Sequence, residues 1–528
     1  MNRRMWISIA GFLAIPVVCL PQPAMAADLK ADPSSYRSLL HQLKPGDTLS
    51  FAPGRYRPLY LANLNGTPEA WITIRGPESG APAVIVGAPD SNTVEIVNSS
   101  YLAIENLRID SRGISGAFGI SAKGKQNRTH DIRIEGNTLV GQNGDQQTDG
   151  ISTKSPTWGW IIRNNRIVGA GTGIYLGDSD GSAPFVHGLI ENNLIRDTIG
   201  YSMEIKDQIS IPAIAGMPLE PTSTIIRNNV FIKDDQPSPD GNRPNVLVGA
   251  FPASGPGAQN LYEIYGNLFL HNGNEALFQG SGRLSLHDNI FVDAPADYAA
   301  VVLRRQNFPL RLAHVYNNTI YTTGQGILFG TGALESDAVI GNLIFAMTPI
   351  TGPLAHSSGN LEVSFAKAGE YVNSPSLVLE SMDFYPKPGK CRGKPVSLTS
   401  FQREADYGVD FNGTPKSQSA GATAFRGAYA GEGVNPGWTL QAGIKPMKSG
   451  APAITAGEPQ GSAALRRGRS DRLDSTTSSS QDASVAPAAS HCVQGRSVDP
   501  ACGRDRNPDA AGLLLWRSTA RAELAAAQ

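Results

Sequence analysis

Cysteine is scarce in this chain, four among 528 residues, and the scarcity excludes two architectures. Cys19 lies in an N-terminal apolar stretch, and Cys391, Cys492 and Cys502 have neither metal-ligand spacing nor the even count of a disulfide framework. The one pairing on offer joins Cys492 to Cys502 and leaves Cys391 free. A surplus of either charge is also missing: the formal net charge is −1, so nothing in the balance favours a nucleic acid partner. Beyond the N-terminus no stretch approaches the roughly 20 apolar residues of a membrane span.

That N-terminus has its own grammar. Met1-Asn2-Arg3-Arg4 precedes a mostly apolar run from Met5 to Leu20, and Ala24-Met25-Ala26 stands before Ala27. A charged, an apolar and a small-residue segment in that order make a cleaved secretory signal over residues 1–26. Val18 is larger than the small residue a lipoprotein signal carries before its cysteine, so Cys19 does not read as a lipid anchor. A secreted or periplasmic protein is expected, acting as a monomer.

What the chain has in abundance is one recurring frame. Asn137, Asn165, Asn193, Asn229, Asn267, Asn289, Asn318 and Asn342 each follow an aliphatic residue by three positions, from Ile134 to Val339. Each also precedes a bulky apolar residue by two, from Leu139 to Ile344. Between them lie changeable positions such as Glu135, Arg163, Glu191 and Arg227, which suggests a strand with one buried and one solvated face. Seven intervals fill 205 residues, a period of about 29 with loops of unequal length inserted. A repeat that cannot bury its apolar face alone must stack on its neighbours. β-Branched and aromatic inward residues make the stack an all-β, right-handed parallel β-helix, with asparagine amides hydrogen-bonded from coil to coil.

The remainder divides around that solenoid. Residues 27–46 form an N-terminal cap in which Ser34 and Ser35 start a short helix bearing Leu39, Leu40 and Leu43, ended by Pro45-Gly46. Such a cover is needed because the first coil otherwise shows an unpaired edge. Coils are expected over 47–365 and an irregular closing region over 366–446. The tail 447–528, rich in Ala, Ser, Arg and Gly, is expected to be disordered. His187, His287 and His314, on or beside the asparagine-bearing strand, read as surface or turn residues.

A second strand in each repeat carries the chemistry. It appears as Asp149–Lys154, Thr172–Asp178, Tyr201–Asp207 and 245–249, and later as 275–280, 300–305 and 325–330. Turning Ile151, Ile174, Met203 and Val246 inward sends Ser152, Tyr175, Glu204 and Leu247 outward, with Lys154, Gly177, Lys206 and Gly249 two residues on. Arg304 or Arg305 joins that face about three coils beyond Lys206. Eliminative cleavage of a uronate chain needs a cation on the carboxylate, a base for the neighbouring proton and an acid for the leaving oxygen. Lys206 is the candidate base, with Tyr175 or Arg304 as its partner. Lys154, Arg305 and Asp178 are candidate substrate contacts, and Glu204 with Asp207 could hold a calcium ion. No other cofactor is expected. The same charges would equally suit a solvated face.

The segment from Pro45-Gly46-Asp47-Thr48 to Gly54-Arg55-Tyr56, and the coils to about 365, resemble the right-handed β-helix proteins of the pectin-lyase-like superfamily. Glu191-Asn192-Asn193 followed by Met203-Glu204-Ile205-Lys206-Asp207 resembles the segment of the alginate lyase and chondroitinase B family that bears a lysine base and calcium-binding glutamates. The resemblance implies an acidic polysaccharide partner, Lys206 as base and Glu204 as calcium ligand. This chain departs from the pattern in having one glutamate only two residues before the lysine, and no arginine over 245–249. Gln147-Thr148-Asp149-Gly150 resembles one polygalacturonase motif, but its Gly-His-Gly partner is missing, as is an epimerase Asp-Pro-His-Asp segment. The expectation is therefore a lyase, with a non-catalytic carbohydrate-binding or surface β-helix protein as its rival.

Overall fold

The computed structural model describes residues 26–446, apart from residue 296 and residues 417–420. The secretory signal, the tail 447–528 and the Cys492–Cys502 pairing lie outside the described residues. Within them the repeat becomes a parallel β-helix of three sheets whose strands stack in chain order. The first sheet runs from Asp28–Ala31 to Ser357–Ser358, the second from Gly54–Tyr56 to Leu361–Val363, and the third from Leu59–Ala62 to Thr348–Thr351. One coil visits all three, and its hand is the one parallel crossovers take. Among the described residues no helix is long and apolar enough to cross a membrane.

The asparagine frame is not a single strand, as the alternation had suggested. Ile134 belongs to the first-sheet strand Thr129–Glu135 and Leu139 to the second-sheet strand Thr138–Gln142. Both are fully buried because the chain turns a corner between them. The corner residue is Gly136, Asn164, Asn192, Asn228, Gly266, Asp288, Asn317 or Gly341 in successive coils, each with φ between +50° and +67°. Only glycine, asparagine and aspartate enter that region at little cost. The left-handed step turns two residues five positions apart into the same core.

The ladder asparagine follows directly. Asn165 Nδ2 donates to Ile134 O of the previous coil at 2.8 Å and to Asn193 Oδ1 of the next at 3.0 Å, and the same Oδ1 accepts the Asn165 backbone N–H. The pattern repeats through Asn342 and reaches a ninth member, Asn360, at the last coil. Each buried amide is thereby satisfied on both sides, as burial requires.

At the N-terminal end the helix Tyr36–Leu40 places Leu40 against the open core, but it stops before Leu43. Asp32, rather than either serine, supplies the cap: its Oδ1 accepts the Ser34 and Ser35 N–H groups at 2.8 and 2.9 Å. The same segment contributes the strand Asp28–Ala31, paired with Thr48–Phe51, so stacking begins ahead of residue 47.

The closing region straps back along the coil. Phe411 and Tyr429 are buried with Leu194, Val230 and Leu268 of the second sheet, while Leu398 and Phe401 pack on Tyr316 and Ile340. Lys416 Nζ reaches Asp288 at 2.6 Å, and Lys445 Nζ reaches Asn228 Oδ1 and Gly266 O at 2.9 and 2.8 Å. His287, expected at the surface, is fully buried, its ring stacked between Tyr265 and Tyr316. The strap is the reason, since its Lys416 lies against the neighbouring Asp288. Cys391 is a buried free thiol, pushed up to about 12 by that burial.

Candidate functional site

The strap packs on the second and first sheets, and the candidate site lies on the outer face of the third. Its register pairs Ser121 with Ser152, Ser152 with Tyr175, Tyr175 with Glu204 and Glu204 with Leu247. Two residues further, Lys123 pairs with Lys154, and continuing the register places Gly177 and then Lys206 in the same row. Lys154 and Lys206 are two coils apart, roughly 9–10 Å along the axis. The position between them holds no side chain, and a Cβ on Gly177 would lie 3.1 Å from Lys206 Cβ.

Two ammonium groups frame one phenol. Lys154 Nζ lies 4.7 Å and Lys206 Nζ 5.5 Å from the centre of the Tyr175 ring. The Tyr175 hydroxyl, hydrogen-bonded to Ser179 Oγ at 2.8 Å, is pushed up to about 12, chiefly by burial. Lys206 Nζ donates to Glu204 Oε1 at 2.8 Å, and burial pushes that carboxyl above its ordinary value against the pull of Lys206.

Asp149 joins this cluster through a break in the strand alternation. A Cβ on Gly150 would sit 2.6 Å from Gly173 O and 3.1 Å from Ile167 Cγ2, so Gly150 faces the interior as Ile151 does. Two successive inward positions turn Asp149 outward with Ser152 and Lys154. Its Oδ2 lies 3.9 Å from Lys154 Nζ and has no hydrogen-bond partner. Burial pushes the carboxyl up to about 6, with Lys154 and then Lys123 opposing. Lys123 Nζ stands 3.2 Å over the Phe118 ring and is pushed down to about 8, chiefly by burial.

Loops at both sheet edges make this face a cleft. On one side Ser179 and Asp180 rise beside Tyr175, and Asp180 is tied to Lys125 Nζ at 2.7 Å. On the other, residues 233–245 fold back until Gly241 O accepts Gln146 Nε2 at 2.8 Å and the Asp240 N–H reaches Gln146 Oε1 at 3.0 Å. That loop brings Arg243 over the Tyr201 ring, 5.6 Å from its centre, where its charge favours the ionised form of Glu204.

Of the expected site residues, Lys154, Tyr175, Glu204 and Lys206 converge. Asp178 stands on the loop wall, its Oδ1 accepting the Ser179 N–H at 2.8 Å. Arg304 occupies the Lys206 row three coils on, roughly 14–15 Å away, over a stretch where Leu247, Gln279, Val302 and Leu328 leave the neighbouring row without charge. Arg305 follows in the next turn, its N–H on Thr331 Oγ1. Neither arginine approaches Tyr175. Asp207 Oδ1 accepts the Ala250 N–H at 2.6 Å and its Oδ2 accepts Asn307 Nδ2 at 2.9 Å. Glu204 Oε1 is thus engaged by Lys206 and both Asp207 oxygens by neighbouring groups, and among the described residues no group of three metal-ligating side chains is assembled.

Lys123, Asp149 and Arg243 went unrecognised as site residues. For Lys123 a signal exists: Gly119-Ile120-Ser121-Ala122-Lys123 and Gly150-Ile151-Ser152-Thr153-Lys154 are one motif used twice. Arg243 has none, because a loop fold places it.

No family model and no curated protein matches the sequence. Solved structures with a similar coil include an alginate lyase from Paenibacillus sp. str. FPU-7, 15% identical over 64% of this chain and 99% of that one, with a TM-score of 0.34. The A-module of the Azotobacter vinelandii mannuronan C-5 epimerase AlgE6 is 15% identical over 62% and 93%, with a TM-score of 0.37. The pectate lyase Pel9A is 14% identical over 77% and 96%, with a TM-score of 0.34. At such identities and scores none of these likenesses bears on what this chain does.

Proposed function

We propose that the protein is an exported, monomeric lyase that cleaves a uronate-containing acidic polysaccharide by β-elimination in the cleft over the third sheet. One observation carries the reading: Lys154 and Lys206 flank Tyr175 across the gap that Gly177 leaves. A sugar ring would lie over Gly177 with its carboxylate toward Lys154. The proton on the carbon bearing that carboxylate passes to the Lys206 amine, the carbon–oxygen bond to the neighbouring sugar breaks, and a carbon–carbon double bond forms. Tyr175 donates its hydroxyl proton to the leaving oxygen and regains it from Lys206, so protons balance over the cycle. Lys206 must first be neutral. Glu204, buried and hard to ionise, accepts its proton when the bound chain displaces water from the pair. Arg243 adds positive charge at the cleft wall, and Arg304, Arg305 and Asp178 line the outer reaches of the bound chain. No step passes through calcium.

The 2.8 Å pair between Lys206 and Glu204 also favours a second reading, a carbohydrate-binding protein in which Lys206 stays charged and only grips sugar. Ultraviolet absorbance of unsaturated products separates the two. Wild type and Lys206→Ala would be incubated with alginate, polygalacturonate, chondroitin and heparin-type chains, with and without calcium. A signal on one polymer that Lys206→Ala abolishes is the expected result. Binding of a polymer without any signal would leave the second reading in possession of the cleft.

A further inference from the structure

We infer that Lys123 and Lys154 form a two-ammonium cradle for the substrate carboxylate, doing at this site what a divalent cation would do. The inference rests on the reading of the cleft as a uronate site and adds how the charge is met. Neutralising a carboxylate beside an acidic carbon takes concentrated positive charge held in place before the reaction. A calcium ion would need six to eight oxygen ligands. Three carboxylate oxygens at hand are committed elsewhere, Glu204 Oε1 to Lys206 and both Asp207 oxygens to Ala250 and Asn307, and the uncommitted Asp149 Oδ2 falls far short of such a shell. The ammonium groups are placed instead. Lys123 and Lys154 are register partners on adjacent strands, roughly 4.8 Å apart at the backbone, and both side chains leave the same face.

The open donors of Lys123 support the pair. Lys123 has no carboxylate within 4 Å among the described residues, and the Phe118 face under its Nζ attracts the cation without satisfying its N–H donors. Lys154 has one anionic neighbour, Asp149, at 3.9 Å, and Asp149 Oδ2 is buried with no hydrogen-bond partner. Asp149 and Glu95, the latter the register partner of Ser121, act on Lys123 only through space, so its N–H donors stay open to a carboxylate arriving from outside. At 3.9 Å, Oδ2 holds Lys154 by charge without taking a hydrogen bond from it. Asp149 is in this sense a positioning residue.

Calorimetric binding to the full chain tests the cradle. The titrants are oligomers of polygalacturonate and alginate and their carboxyl-reduced, uncharged counterparts, each in EGTA and in calcium. Tyr175→Phe is the parent, in which turnover is slowed by about 10² or more. Charged oligomers are expected to bind in EGTA with an affinity that calcium changes by less than about twofold. Lys123→Met should weaken them about tenfold or more, the worth of one charge-assisted hydrogen bond, while leaving the reduced oligomers unaffected. Lys123→Arg should restore most of the loss. Binding that requires calcium, or a Lys123→Met variant indistinguishable from its parent at an unchanged melting temperature, would overturn the cradle and leave the uronate reading standing. Absence of binding by every charged oligomer would overturn both.

Discussion

Lys154 and Lys206 point their ammonium groups at the same ring, Tyr175, from opposite sides, 4.7 and 5.5 Å from its centre. They can share it because the residue between them in the row is Gly177. Two cations, one phenol and an empty position make the only part of the outer third sheet where acid, base and charge neutralisation come together among the described residues.

Filling the empty position should therefore damage chemistry more than fold. Gly177 has φ +100°, and its added Cβ would press on Lys206 Cβ at 3.1 Å. Gly177→Ala is expected to lower the melting temperature by a few degrees, from a strain of about 1 kcal/mol, and to cut product formation at least tenfold. A variant as active as wild type would show that nothing needs the gap.

Tyr175→Phe keeps the ring that both lysines face and removes only the acid. Product formation should fall by about 10² to 10⁴, the usual worth of a positioned proton donor, while oligomer affinity stays within about threefold. Equal losses of rate and affinity would assign the hydroxyl to binding.

The Lys123 ammonium is pushed down to about 8 by burial, so it loses charge as the pH rises through that value. Affinity for charged oligomers should decline over the same interval. In Lys123→Arg, whose guanidinium stays charged, the decline should disappear. A flat affinity from pH 7 to pH 9.5 in the wild type would remove Lys123 from the binding surface.

Asp149 carries a stability cost with a definite sign. Its folded value, about 6, lies above the ordinary 3.8, so its contribution is full below pH 3.8 and lost as pH rises through 6. Asp149→Asn should be the more stable protein near pH 7.5, by roughly 3 kcal/mol at most, and lose that advantage near pH 3.5. Urea unfolding at the two pH values reads the difference. A variant less stable at pH 7.5 would mean that the pairing with Lys154 outweighs the desolvation.

The ladder should be weakest at its end. Asn229→Ala removes amide donors to Ile190 O and Asn267 Oδ1 and strands two donors of Asn193, all buried. A loss of about 2–4 kcal/mol is expected. Asn360→Ala, on the last and part-buried coil, should cost about 1 kcal/mol. Equal losses at both positions would show that burial does not set the worth of a rung.

Much of this molecule was readable before folding. The pairing of Tyr175 with Glu204, and the shared row of Lys154 and Lys206, follow from alternation along a strand and from aliphatic residues that tolerate only the inside. The corner hid in plain view: glycine, asparagine or aspartate before every ladder asparagine is the mark of a left-handed step, and reading the frame as one strand missed it. Asp149 was missed for a related reason. Two consecutive inward residues at Gly150 and Ile151 break the period of two on which strand reading depends.

The sequence by itself determined the repeat, the parallel coil and the asparagine ladder, because each is a local demand for burial or amide pairing that every repeat restates. Only the tertiary structure decided that Arg243 would lean over the cleft. It also decided that His287 would be covered and that Asp207 would spend both oxygens on neighbouring loops. Those outcomes depend on how unequal insertions and a long strap settle against faces built elsewhere in the chain, and contacts between segments so distant leave no periodic trace in the residues that make them.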